Sequence, residues 1–216
     1  AMSVDPILIL GSRSPRRAKL LREAGYAFSQ VTPVHGDPEQ PAAGGDPAQV
    51  AIDLAEHKAR GVALALTGEP ARYRRCVIIG ADTICVDAAG GLIGTPTTAE
   101  AALAILRRFS GVTHAVVTGV ALLRPGDGKL VTFADRVEVT VGTLSAEQMQ
   151  EHVGSGAWRG KAGGYNLEEA RGKGWPITLP EGADAATVVG LPMRKLQVAL
   201  AVMGVKAASR VQGGRS

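Results

Sequence analysis

The stretch Ile7-Leu8-Ile9-Leu10-Gly11-Ser12-Arg13-Ser14-Pro15-Arg16-Arg17 joins a short apolar run to a helix start. Ile7–Leu10 has the length and composition of a buried strand. Ser14 then Pro15 is an N-cap followed by a first helical position. The serine oxygen can accept an otherwise unpaired amide, and proline has no N–H to lose there. Leu20, Leu21 and Ala24 give this helix an apolar face, and Gly25 ends it.

Outward from this unit the alternation continues. Val31-Thr32 is expected as a second strand, and Asp46-Pro47 opens a helix running to about Gly61. Val77–Val86 reads as a buried strand interrupted at Gly80, and Thr98–Phe109 as a helix. Val116–Leu123 and Leu130–Val141 read as paired strands joined by the turn Pro125-Gly126-Asp127-Gly128. Ser145–Val153 and a last segment from Pro192 through Leu200 read as helices. Strands alternating with helices, plus a meander, predict an α/β fold on a mixed sheet. Gly154–Glu181 is glycine-rich and without period, too long for a mere connector, and is expected to be functional.

The 216 residues suffice for one large domain or a domain of two lobes. With 45% hydrophobic and 20% charged residues the composition is that of an ordinary soluble globular protein. A net charge of +4 is too mild to demand a nucleic-acid partner, and 4% aromatics leaves no evident stacking platform. No apolar run approaches a membrane span. Cys76 and Cys85 lack zinc-ligand spacing and read as reduced, buried thiols of a cytoplasmic protein.

Two segments carry candidate chemistry. In Gly11–Arg17 the arginines Arg13, Arg16 and Arg17 crowd a helix N-terminus, which already presents unpaired N–H groups and partial positive charge. That placement opposes the helix dipole by roughly 0.3–1 kcal/mol per charge, a cost an anionic ligand would reverse. Arginine also forks onto phosphate oxygens. A solvated basic turn remains the other reading. In Val77–Val86, Asp82 sits where a side chain should be buried, and an unpaired buried carboxylate is costly. It is either a general base or metal ligand at a strand end, or the cap of a β-bulge at Gly80. Asp37 could supply a second carboxylate, and magnesium in a phosphate enzyme needs only one or two. Lys58 falls on the apolar stripe of the second helix, either snorkelling at its edge or aimed into a charged cleft.

Six ordered motifs are similar to those of one family: Ser12–Arg17, Glu56-His57-Lys58-Ala59, Gly80-Ala81-Asp82-Thr83, Ser110–Val120, Lys161-Ala162-Gly163-Gly164-Tyr165 and Val188–Pro192. Together they resemble the Maf (septum-formation-inhibitor-like) nucleotide pyrophosphatases from about Ile7 to Leu200. The resemblance implies a single domain over residues 7–205; the tail 206–216, by its terminal position, is expected to be frayed. It implies two lobes around a cleft, akin to the inosine-triphosphatase fold. It also implies hydrolysis of a nucleoside triphosphate to monophosphate and pyrophosphate with Mg2+ or Mn2+, and a possible homodimer. Carried over by position, Asp82 is the proton acceptor, with Lys58 as the other catalytic residue. Ser12, Arg16, Arg17, Thr83, Lys161 and Glu168 fall at substrate-binding positions. Asp37 and Asp82 fall at metal-binding positions.

This chain departs from the family where Thr95 replaces a lysine, Gly160 an acid and Asp37 a glutamate. Arg16 and Thr83 match the branch acting on dTTP and UTP. Glu168, where that branch has glutamine, looks like the 7-methyl-GTP branch. A carboxylate only accepts hydrogen bonds, whereas an amide also donates. A nucleotide-binding regulator with weakened turnover is the alternative from a different class.

Overall fold

The protein is described by a computed structural model over residues 6–34 and 45–208; Asp37 lies outside them. In chain order the elements are β1 Ile7–Leu10, α1 Pro15–Glu23, β2 Ser29–Gln30, α2 Pro47–Ala65, α3 Pro70–Arg75, β3 Cys76–Val86 and β4 Leu92–Ile93. There follow α4 Ala99–Phe109, β5 Thr113–Arg124, β6 Lys129–Val141, α5 Ala146–Gly154, a 3-10 turn at Ala162–Gly164, α6 Leu167–Gly172, β7 Ile177–Thr178, α7 Ala185–Val189 and α8 Met193–Val202.

The local signals act as expected at several boundaries. Ser14 caps α1 through Arg17 N, Thr98 caps α4, and Ser145 closes a reciprocal capping box with Gln148. Gly25, at φ +82°, ends α1 in the left-handed conformation that a Cβ would strain. The second strand lies at Ser29–Gln30 rather than Val31-Thr32, and α2 runs past Gly61 to Ala65. The expected irregular stretch Gly154–Glu181 contains the 3-10 turn, α6 and β7. These pieces are shorter than a periodicity window, so only tertiary contacts define them.

The seven strands form one mixed sheet in the order β2-β1-β3-β5-β6-β7, with β4 also on β3. β1 runs parallel to β2 and β3, while β3, β5 and β6 are successively antiparallel. The β3–β5 ladder is continuous from Ile78↔Leu123 to Val86↔Ala115, with Gly80 opposite Ala121. The bulge reading of Gly80 is therefore incorrect. Gly80 is glycine because α2 lies directly on it: a Cβ there would collide with the Ala55 carbonyl oxygen. One strand over, a Cβ on Gly119 would enter the backbone of Ala51. The stripe Ala51, Ala55, Ala59 at spacing four brings the helix backbone close to the sheet, and the two glycines receive it.

Both faces of the sheet are covered. α2 packs on one face over Ile9, Ile78, Ile84, Val117 and Ala121. The other face carries two apolar cores. One gathers Ala81 and Val120 with α1 and α8; the other gathers Cys85, Val116 and Val137 with α4, α6 and β7. Residues 206–208 follow the first, and Ala208 N donates to Gly25 O at 2.9 Å. Among the described residues no helix is long and apolar enough to cross a membrane.

Candidate active site

The cleft arises from a split in the sheet. β1 and β3 stay paired through Leu10↔Ile79, and Gly11 N donates to Ile79 O at 2.8 Å as the last rung. The chain then turns away into α1, while β3 continues. Among the described residues β3 gains a partner on that side again only at Cys85, opposite Ile93 of β4. β1 sends its chain to α1 on one face, and β3 is reached through α2 on the other. Such a switch point, at the carboxyl end of a parallel strand, opens a crevice in α/β sheets.

The crevice holds about 650 Å³, within the range of small-ligand sites. Arg13, Arg16, Arg17, Lys58 and Arg159 line it, and among the described residues Asp82 is the carboxylate of its lining. The α1 N-terminus opens onto the same space, so the fixed field favours an anion.

Asp82 projects from β3 toward α2, where Lys58 Nζ donates to its carboxylate. The side chains of Lys58 and Asp82 are only 15% and 14% exposed, so the pair is largely shielded from water. Lys58 therefore points into the cleft, and the snorkelling reading is incorrect. It stands on the apolar stripe of α2 at the level where the helix crosses β3 over Asp82.

Arg17 is the most firmly placed cation. Its Nε donates to Gly190 O at 2.8 Å, Nη1 to Ser12 Oγ at 3.2 Å and Nη2 to Thr83 Oγ1 at 3.1 Å. Ser12 Oγ also accepts from Ser14 N at 3.1 Å, and Ser12 O accepts from Gln30 Nε2 at 2.9 Å. The Gly11–Ser14 loop is thereby tied to α1, β2 and the turn after α7. Arg16 is looser and reaches across the mouth toward Gly160 O at 3.5 Å. Burial pulls its guanidinium pKa below the ordinary value, partly offset by Glu169.

Of the remaining residues expected in the site, Thr83 lines the cleft, as does Thr95. Lys161 is buried and donates to Glu169, outside the cleft lining. Glu168 faces solvent and pairs with Lys19 at 3.1 Å, likewise outside the lining. Asp37 lies outside the described residues. Among those that are described, no cluster of three His, Cys, Asp or Glu side chains could hold a metal. Sequence reasoning missed the partners: Thr118 behind Thr83, the Gly190 carbonyl behind Arg17, and Glu169 beside Lys161. Thr118 carried a signal, a polar residue within the apolar run Val116–Val120, as Asp82 did in its own strand.

Behind the Tyr165 wall lies His114, 1% exposed. Its Nε2 hydrogen-bonds Tyr165 Oη at 2.9 Å, and its ring stacks on Phe109 at 3.8 Å. Nδ1 has no partner among the described residues. Burial pushes the imidazole from 6.5 down to about 4. A histidine kept neutral in the fold but charged when unfolded gives the unfolded state more protons below pH 6.5. Stability is then complete above that pH and falls as pH drops toward 4, by roughly 3 kcal/mol in total. Burial shifts His152 the same way. Urea unfolding at about pH 7.5 and pH 5 should show about 2 kcal/mol of this loss, and His114→Phe should flatten most of it while lowering stability at both values. An unchanged slope in the variant would remove His114 as its source.

Comparison with known proteins shows the family. The family model described as Maf-like protein matches residues 7–203. A protein of Symbiobacterium thermophilum named dTTP/UTP pyrophosphatase is 38% identical over 87% of this chain and 89% of its own length. One of the same name from Koribacter versatilis is 40% identical, over 88% and 90%. Another from Caulobacter vibrioides is 37% identical, over 95% of this chain and all of its own. Among solved structures, a HAM1 protein from Coxiella burnetii overlaps 63% of this chain and 73% of its own at 14% identity, with a TM-score of 0.39. A superposition that loose adds nothing to the strand order above. With the family model spanning nearly the whole chain and relatives matched almost end to end, the chain belongs to the Maf family.

Proposed function

We propose that the chain is a nucleoside-triphosphate pyrophosphatase of the dTTP/UTP branch, releasing pyrophosphate and the monophosphate. The observation that carries this is Asp82, a carboxylate held by Lys58 in a cleft at a helix N-terminus whose other charged lining residues, among those described, are cations. The names of relatives at 37–40% identity point to the same activity. Glu168, the residue that favoured a 7-methyl-GTP substrate, pairs with Lys19 outside the cleft lining, which weakens that alternative.

In this reading Arg16 and Arg17 bind phosphate oxygens, and Ser12 fixes Arg17. Asp82 takes the proton of the attacking water, and Lys58 orients its carboxylate. The water oxygen bonds to the α-phosphorus, the bond from that phosphorus to the bridging oxygen breaks, and pyrophosphate leaves with the electron pair. Phosphoryl transfer of this kind is mostly positioning and charge neutralisation. Asp82 with substrate oxygens and water fits the donor set of Mg2+ or Mn2+, which needs few protein carboxylates beside phosphate. When bound, such an ion would neutralise charge on the transferring phosphoryl group.

The test is a panel of dTTP, UTP, 7-methyl-GTP and the common triphosphates with Mg2+ or Mn2+, separating pyrophosphate, orthophosphate and monophosphate. Pyrophosphate with dTMP and UMP is expected. Orthophosphate with a diphosphate product, or no product from any triphosphate, would overturn the assignment.

A further inference from the structure

A row of polar side chains crosses the sheet beneath the cleft, between the two apolar cores. Thr83 of β3 lies opposite Thr118 of β5, and Thr118 opposite Asp135 of β6. On one side of the row lie Ala81 and Val120 of the first core; on the other, Cys85, Val116 and Val137 of the second. Thr118 and Thr187 are completely buried. Polar groups so placed must be satisfied internally, and here they are.

The direction of the hydrogen bonds is fixed by what each group can donate. Thr118 Oγ1 lies 2.8 Å from Thr187 O, a carbonyl that can only accept. This carbonyl ends α7 because Leu191 N, its next helical donor, goes to Ala186 O instead. Thr118 has one proton, and it goes to Thr187 O. The 2.9 Å contact between Thr83 Oγ1 and Thr118 Oγ1 therefore has Thr83 as donor. Thr83 is left with lone pairs alone, one of which accepts Arg17 Nη2 at 3.1 Å. Behind Thr187, its own hydroxyl donates to Asp135 at 2.6 Å, and Lys195 bridges Asp135 at 2.6 Å. The far end of the row is thereby anchored to β6 and α8.

We propose that Thr118 is a positioning residue for the cleft arginine. By taking the proton of Thr83 it makes Thr83 a pure acceptor and so orients the Arg17 guanidinium. Thr83 then serves the substrate through Arg17, and any substrate group that touches its hydroxyl must be a donor. Without Thr118 the Thr83 proton loses its inward acceptor and competes with Arg17 N–H for the same space. Two donors facing one another repel, and Arg17 shifts.

The test uses Thr118→Val, of equal shape but without the hydroxyl, and Thr118→Ser, which keeps it. Thr118→Ala, less demanding on packing, serves beside Thr118→Val. In 15N-labelled protein without substrate, the Arg17 Nε–H resonance, assigned by its loss in Arg17→Lys, should move or exchange faster in Val and Ala but not in Ser. In turnover, Thr118→Val should lower kcat/KM for the triphosphate by about tenfold, the scale of one hydrogen bond to a charged group, through KM. Thr118→Ser should stay within about twofold, and the Val effect should vanish in an Arg17→Lys background. An unmoved Arg17 resonance in both Val and Ala would overturn the role of Thr118, as would equal changes in Ser and Val, which mean packing alone. The effect on KM rests on the triphosphate reading of the cleft; the resonance does not. A shifted resonance in a protein that releases no pyrophosphate would support the wiring and defeat the proposed reaction.

Discussion

Asp82→Asn is expected to lower kcat for pyrophosphate release by on the order of a thousandfold, about 4 kcal/mol of transition-state stabilisation. The amide keeps the shape of the side chain and can still accept from Lys58 Nζ, so the fold and the α2–β3 contact should survive. What disappears is the site that takes a proton from water, together with the charge that would attract a divalent ion. KM should change by no more than a few fold, because triphosphate binding falls to the arginines of the α1 start. The measurement is single-turnover pyrophosphate release with Mg2+, beside a thermal unfolding curve. A variant within tenfold of the parent would remove Asp82 as the base. A variant that melts far below the parent would show the Lys58–Asp82 pair to be chiefly structural.

The second large effect is expected at Arg17. Its three donors to Gly190 O, Ser12 Oγ and Thr83 Oγ1 join the α1 loop to β3 and to the turn after α7. Arg17→Ala removes a phosphate-binding cation and leaves those acceptors behind. kcat/KM for the triphosphate should fall on the order of a hundredfold, as when a charge-assisted contact and its orientation are lost together. Stability should fall as well, by roughly 1–3 kcal/mol, because partly buried groups lose their partner. Arg16→Ala offers the contrast: its side chain makes a long contact to Gly160 O and lies in the field of Glu169, so its loss should weaken triphosphate binding with little change in unfolding. Calorimetric titration with a non-hydrolysable triphosphate and with the monophosphate separates the two roles. Equal losses for both ligands in Arg17→Ala would make its role purely structural.

Much of this was legible in residue order. Ser14-Pro15 specifies a helix start because a cap and a missing N–H act within one turn, whatever surrounds them. Asp82 stands out because a polar side chain in an apolar strand must have a partner; Thr118 carried the same signal and was missed. The partners themselves were not legible. Lys58 looked like an edge lysine on an amphipathic helix, and only the crossing of α2 over Gly80 and Gly119 turns it onto Asp82. Glu168 and Lys161 sit beside the right motif, yet their side chains pair with Lys19 and Glu169, which no spacing rule connects to them.

Sequence by itself determined the α/β class, the basic helix start, the buried carboxylate and the family, since each depends on local chemistry or on motif order. The lengths of β1 and β3 were legible too, but tertiary structure alone decided that they pair in parallel from Ile7↔Cys76 to Leu10↔Ile79, which leaves β3 running past the end of β1 and opens the cleft. It also decided that Thr83, Thr118 and Asp135 fall in one row. Strand register and helix crossing are set by packing between residues far apart in the chain, and a single strand carries only half of each such contact.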